Sequence, residues 1–247
     1  MEFSRDTKLN IFIYAAKSDA YHTTQWADLY PDDYINHFKE LVALAEETKC
    51  EFSWSVHLGS FFRALTEDNY DTQMAKLTAK FDQLRNIGVN RFCVLNDDFG
   101  AGSTAMVVRV MNDLNQNYVH QYNLEPMIYC SQNYNNAWSN SNNKQEITAL
   151  TALDNDIMMF WTGRDVNSPF YQDSIDYVMN NTQDDGGVSQ TPVFWVNYPC
   201  SEHAKSGVFL GSSKYYLRND ITGLGGAVSN PIFFAETDKV ALFQLAN

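Results

Sequence analysis

Arg91-Phe92-Cys93-Val94-Leu95-Asn96-Asp97-Asp98 is an apolar run of strand length that ends on two adjacent carboxylates. Four consecutive apolar residues suit a strand buried on both faces, and such strands belong to parallel sheets covered by helices. Similar runs lie upstream, in Asn10-Ile11-Phe12-Ile13-Tyr14 and Phe52-Ser53-Trp54-Ser55-Val56. Downstream they continue as Met127-Ile128-Tyr129-Cys130, Ile157-Met158-Met159-Phe160-Trp161 and Val193-Phe194-Trp195-Val196. These six begin about 30–42 residues apart, the length of a strand, a loop and a crossover helix. A weaker run, Gly207-Val208-Phe209-Leu210, follows.

Between the runs the apolar period changes to that of a helix. Ile35, Phe38, Leu41, Val42 and Ala45 share one face, as do Met74, Leu77, Phe81, Leu84 and Ile87, with Gly88 as the stop. Val107, Val110, Met111, Leu114 and Tyr118 repeat the pattern, and Ile175, Val178 and Met179 echo it. Ser229-Asn230-Pro231 reads as an N-cap with proline at N1, opening a helix through Leu245. Asn133 to Asn143 and the stretch from Asn181 to Gly187 read as surface loops, and Gly223-Leu224-Gly225-Gly226 as a turn.

Strand and helix alternating at this spacing predict an α/β fold with a parallel sheet, either open and doubly wound or closed as a (β/α)8-type TIM barrel. Two features favour the barrel. Ala15-Ala16-Lys17-Ser18 follows the first run where a doubly wound nucleotide-binding fold has a glycine-rich loop. Polar and aromatic residues also cluster after successive runs, as they do where strand-end loops build one site. The runs number seven rather than eight, and the first residues resemble the tail of a helix. The expectation is one domain over residues 1–247, a barrel lacking its first strand, with another segment or chain covering the open edge.

Of the 247 residues, 45% are hydrophobic and 19% charged, an ordinary globular balance. Seventeen lysines and arginines against thirty acids leave a net charge of −13, which disfavours nucleic acid and anionic membrane surfaces as partners. No apolar run reaches the ~18 residues of a membrane span, and MEFSRDTKLN lacks the apolar stretch of a signal peptide. Cys50, Cys93, Cys130 and Cys200 stand singly in or beside apolar runs and read as small buried thiols. They lean towards a reducing compartment, although many secreted bacterial proteins also lack disulfides, and the compartment stays open. The five histidines show no metal-ligand spacing, and neither a metal nor any other cofactor is expected.

Asp97 and Asp98 carry the sharpest chemical signal. Like charges so close favour holding a proton on the pair, which suits a general acid beside an ionised partner; a solvated loop or helix cap explains the dipeptide equally well. Lys17, Tyr134 and Asn197 also follow strand runs, and with Trp161 and Trp195 as walls they describe a polar, aromatic-lined cup suited to a sugar.

Several segments together resemble one family. Tyr14-Ala15-Ala16-Lys17-Ser18-Asp19-Ala20-Tyr21-His22, followed by Trp26 and Tyr30-Pro31, is similar to the second-strand signature of family 84 glycoside hydrolases, the O-GlcNAcase-like β-N-acetylglucosaminidases, some described as hyaluronidases. Asn96-Asp97-Asp98 resembles their aspartate pair, Cys130-Ser131-Gln132-Asn133-Tyr134 their tyrosine loop, and Met159-Phe160-Trp161-Thr162-Gly163 a further strand end. Trp195-Val196-Asn197-Tyr198-Pro199 and Val228-Ser229-Asn230-Pro231 complete the order. The resemblance spans nearly the whole chain and implies a (β/α)8 barrel that hydrolyses terminal β-linked N-acetylglucosamine from glycans or glycoproteins.

It further implies a retaining, substrate-assisted mechanism through an oxazoline intermediate, one of the exceptions to the enzyme-nucleophile scheme. Asp97 would orient the 2-acetamido group, and Asp98 would act as general acid and then base. Tyr134 would bond near the acetamido oxygen and Trp195 would wall the methyl pocket. Lys17, Asn197 and Asn230 would hold sugar hydroxyls or the acetamido group. Three departures stand out: Glu202 replaces the aspartate that grips the far side of the sugar, Asn96 stands where the family often has tryptophan, and the family's first strand is absent. They leave a second reading beside the glycosidase, a catalytically impaired carbohydrate-binding relic or inactive fragment.

Overall fold

The computed structural model describes residues 1–98, 102–200, 216, 218, 220–231 and 235–246, which fall into two compact units, Met1–Gln132 and Asn133–Asn247. In the first unit α1 (Glu2–Asp6) leads into β1 (Ile11–Tyr14), and residues 15–31 then form a long connection to α2 (Asp32–Thr48). Asp32 and Asp33 in the first turn of α2 complement its dipole, and Lys49 closes it in the left-handed region at φ 53°. The buried stripe Ile35, Phe38, Val42 and Ala45 is the one the helical period predicts.

β2 (Glu51–His57), α3 (Gly59–Ala64) and α4 (Tyr70–Arg85) follow, then β3 (Phe92–Leu95), α5 (Thr104–Leu114) and β4 (Ile128–Cys130). Gly88 stops the α4 segment at φ 104°, a conformation few other residues adopt, and a Cβ there would lie 2.8 Å from Val42 Cγ1. The strands pair in parallel in chain order, with Trp54 opposite Phe92 and Cys93 opposite Ile128. β3 is buried along its whole length, as its unbroken apolar run demands. Parallel pairing gives the strands a common C-terminal end, so Lys17, His57 and Asp97 all emerge on one side of this unit.

The second unit contains α6 (Asn136–Ser141), α7 (Gln145–Ala149), β5 (Met158–Trp161), α8 (Gln172–Thr182), β6 (Pro192–Val196), β7 (Gly226–Ser229) and α9 (Ala235–Ala246). β5, β6 and β7 pair in parallel, again in chain order. Seven strands therefore lie among the described residues, and their membership differs from the sequence expectation. The run at 207–210 lies outside the described residues. The seventh described strand is Gly226–Ser229, where the sequence suggests a turn and a helix cap. Small residues give this strand no apolar run; its ladder to β6, with Val193 opposite Gly226 and Val196 opposite Ser229, defines it. Smallness is required beside it, since a Cβ on Gly225 would lie 2.7 Å from Thr191 Cγ2.

Two further expectations are corrected. The asparagine-rich stretch contains α6, because Asn135 Oδ1 accepts the Trp138 N–H at 2.9 Å and caps the helix that low propensity disfavours. Trp161 does not wall a cup: it is fully buried, stacks on Tyr177 and donates its indole N–H to Asn136 Oδ1 at 2.8 Å. Cys50, Cys93 and Cys130 are buried free thiols as expected, while Cys200 is half-buried.

His22, in the connection after β1, has no exposed surface, and its Nδ1 donates to the Ser55 carbonyl at 2.7 Å. Burial pulls its pKa down to about 4. The unfolded chain titrates near ~6.5, so between these values it binds a proton that the fold refuses, and stability rises with pH across that window. Acidification from pH 6.5 to pH 4 is expected to remove about 3 kcal/mol through this residue. Urea denaturation at several pH values checks it: His22→Asn should show a shallower loss across that window than the native sequence.

Candidate active site

At the C-terminal end of β1–β3 the connection after β1 brings Lys17 to the aspartate pair. Its Nζ donates to Asp97 Oδ2 at 2.6 Å and lies 3.6 Å from Asp98 Oδ2. The adjacent carboxylates occupy unlike surroundings. The Asp97 side chain is 7% exposed and that of Asp98 is 54% exposed. Asp98 takes φ 61°, so the chain turns sharply between the two acids. A non-glycine residue there costs on the order of 1 kcal/mol, and such strain is concentrated at functional sites.

His57, the last residue of β2, is a member of this cluster that the sequence reading considered only as a metal ligand. The Gly59 N–H points at its Nδ1 at 3.5 Å, which assigns the ring proton to Nε2. From there it donates to the Asp97 carbonyl at 2.8 Å and stands 3.7 Å from Asp97 Oδ1. The signal was present: His57 follows an apolar run, the same position that singles out Lys17 and Asp97. Among the described residues, His22 Nε2, Asp97 Oδ1 and both amide atoms of Asn96 are buried without a hydrogen-bond partner. Unmet capacity of this kind is costly in a core and is what water or a polar ligand satisfies.

The second unit holds its own cluster. Asn197 directly follows β6 and Asn230 directly follows β7. Asn197 Oδ1 accepts from Trp195 Nε1 and from Asn230 Nδ2, each at 3.0 Å, and its Nδ2 donates to the Val166 carbonyl at 2.6 Å. Three partners thus fix the amide orientation. The Trp195 ring meets Phe160 edge-on at 4.9 Å. Ser229, expected as a helix cap, instead donates its hydroxyl to the Tyr198 carbonyl at 2.5 Å. Tyr134 is buried with its ring 4.9 Å from Trp138, and its carbonyl accepts the Thr162 N–H at 2.9 Å. Glu202 lies outside the described residues. The structure thus brings Lys17, Asp97 and Asp98 together in one unit and Trp195, Asn197 and Asn230 together in the other. Among the described residues no group of three or more His, Cys, Asp or Glu side chains is placed to hold a metal ion.

Comparison with known proteins gives these clusters a context. The family model for β-N-acetylglucosaminidase matches residues 1–247, and the chain belongs to that family. The protein O-GlcNAcases of Mus musculus and Rattus norvegicus are each 26% identical over 251 residues, covering 97% of this chain and 26% of theirs. The chain therefore spans about a quarter of the length of these relatives. The solved structure of CpGH84D matches 99% of this chain and 40% of its own with a TM-score of 0.89 at 27% identity. CpGH84B covers 99% of this chain and 43% of its own, at 0.88 and 25%. A Thermobaculum terrenum O-GlcNAc hydrolase mutant shares the fold, with a TM-score of 0.86 at 21% identity and coverage of 99% and 53%. The fold class is accordingly α/β, of the (β/α)8 barrel type, with seven strands among the described residues.

Removing the shared acceptor exposes how the second cluster is held. Asn197→Ala leaves the Trp195 and Asn230 donors and the Val166 carbonyl without their partner, and is expected to cost about 1–3 kcal/mol. Asn230→Ala removes only one of the two donors to Asn197 and should cost less. Chemical denaturation of both variants measures the difference.

Proposed function

We propose that this chain hydrolyses terminal β-linked N-acetylglucosamine with retention at the anomeric carbon, the 2-acetamido group of the substrate serving as nucleophile. Family membership supports the reaction class. The observation that carries the assignment is Lys17 Nζ set against two neighbouring carboxylates, one buried and one half-exposed, at the ends of β1 and β3.

In this reading the acetamido oxygen attacks C1 while the bond from C1 to the leaving oxygen breaks. Asp98, the exposed member, delivers its proton to that oxygen. Asp97 accepts a hydrogen bond from the acetamido N–H and stabilises the positive charge that grows there as the oxazoline ring closes. Lys17 supplies the counter-charge for Asp97 and, through β1, fixes its distance from β3. Water then attacks C1, Asp98 takes its proton, and the ring opens to regenerate the acetamide. The nucleophile arrives already attached to the substrate, which converts an encounter into an intramolecular step. On the order of their motifs along the chain, Tyr134, Trp195, Asn197 and Asn230 are assigned to hold the acetamido group and the sugar hydroxyls, and Glu202 the far side of the ring.

Leaving-group dependence tests the division of labour between the aspartates. General acid catalysis matters least when the leaving oxygen is a good anion, and typically contributes ~100- to 10,000-fold where it acts. Asp98→Asn is expected to lower kcat/KM about 100-fold or more on an alkyl β-N-acetylglucosaminide and far less on a nitrophenyl one. Asp97→Asn should slow both by similar factors. Equal losses on both substrates for Asp98→Asn would contradict its role as acid. Sugar binding without turnover in the unaltered chain would support the non-catalytic relic instead.

A further inference from the structure

One buried cation takes no part in the reaction above. Lys80 lies on the core face of α4, between Leu77 and Leu84, and has no exposed surface. An unpaired lysine is among the least favourable residues to bury, so its retention on an apolar stripe asks for a reason. Its Nζ donates to the Tyr21 carbonyl at 2.6 Å and reaches that of Gln25 at 3.4 Å. The ammonium also faces the Tyr30 ring at 4.5 Å, Tyr21 at 5.3 Å and Trp54 at 6.0 Å. Among the described residues, carbonyl oxygens and aromatic faces thus take the place of a paired carboxylate.

All of these groups except Trp54 belong to the connection after β1, residues 15–31. Asp19 organises the same segment: it accepts from the Tyr30 hydroxyl at 2.8 Å, the Tyr14 hydroxyl at 3.0 Å and the Tyr21 N–H at 2.8 Å. One turn along α4, Gln83 clips the far end, accepting the Tyr30 N–H and donating to the Tyr30 carbonyl, each at 2.8 Å. Lys17 sits inside the turn closed by the Asp19 N–H on the Ala16 carbonyl at 2.9 Å. Its side chain is 53% exposed and reaches Asp97 from this backbone, so the placement of the turn bears directly on that contact.

We infer that Lys80 is a positioning residue of the active site: its buried ammonium, gripping two carbonyls inside a cage of rings, fixes the connection after β1 and thereby sets Lys17 on Asp97. This rests on the hydrolase reading for its kinetic consequence and on geometry alone for the hold itself. Burial lowers the Lys80 pKa to about 8, with Asp19 and Asp28 opposing the shift, so the cation is kept against its own desolvation.

Lys80→Met keeps the reach of the side chain and removes the charge. In the folded variant kcat/KM is expected to fall at least tenfold, with kcat and KM changing in the proportions seen in Lys17→Met. Adding Lys80→Met to Lys17→Met should then cost less than a further twofold, because the group it positions is already gone. A residue acting on catalysis independently of Lys17 would multiply the two losses, and one serving stability alone would leave kcat/KM of the folded Lys80→Met unchanged; either result overturns the inference. Hydrogen exchange reads the hold without turnover: the amides of Asp19, His22 and Gln25 should exchange at least tenfold faster in Lys80→Met. If the unaltered chain hydrolyses no β-N-acetylglucosaminide, the hydrolase reading fails, while unchanged exchange at these amides would separately overturn the hold. Gln83→Ala, which releases only the Tyr30 clip, provides the same comparison with a smaller effect should Lys80→Met not fold.

Discussion

Two neighbouring carboxylates at the end of a buried strand repel each other, and the ammonium of Lys17 answers that repulsion at 2.6 Å from one and 3.6 Å from the other. The partners come from connections after β1 and β3, 80 residues apart in sequence. Their meeting therefore depends on the register of three parallel strands. A slip of one residue would turn every side chain of a strand to the opposite face and separate the charges. The unbroken burial of β3 and the pairing of β2 on both sides are what prevent such a slip.

Around this contact the chain accepts features that lower stability. Asp98 adopts a left-handed backbone, and Asn96 buries an amide that has no hydrogen-bond partner among the described residues. His22 is held neutral in the core, and Lys80 keeps a charge there. Each is unfavourable alone, and all lie in or directly behind the residues that follow β1 to β3. Such a concentration is what a site organised for a polar ligand looks like, since binding offsets costs that folding leaves unmet. The cluster of Trp195, Asn197 and Asn230 differs in kind, because its polar atoms satisfy one another.

Legibility from sequence followed the strength of local signals. β1 to β6 could be read because each is a run of apolar residues bounded by polar ones, and the stripe of α2 because its period is regular. Gly226–Ser229 could not, since a single valine among glycine, alanine and serine is too weak a strand signal, and the pairing with β6 defines it. α6 was hidden by its asparagines, although Asn135 is itself the cap that starts it. The aspartate pair and Lys17 were legible as polar residues following strands. His57 carries the same signal, a polar residue closing an apolar run, although its spacing to the other histidines suits no metal. Lys80 was invisible for a different reason: a lysine on a helical stripe reads as solvated, and only the fold reveals carbonyls and rings around it.

A crystal structure of this chain with an oxazoline-shaped analogue of N-acetylglucosamine tests the central claim most directly. The account predicts the ring nitrogen of the analogue within about 2.7–3.1 Å of an Asp97 carboxylate oxygen, with Lys17 still on Asp97 and Asp98 facing the anomeric carbon. An analogue bound away from both carboxylates, or one whose nitrogen is met by some other group while Asp97 keeps only Lys17, would contradict it.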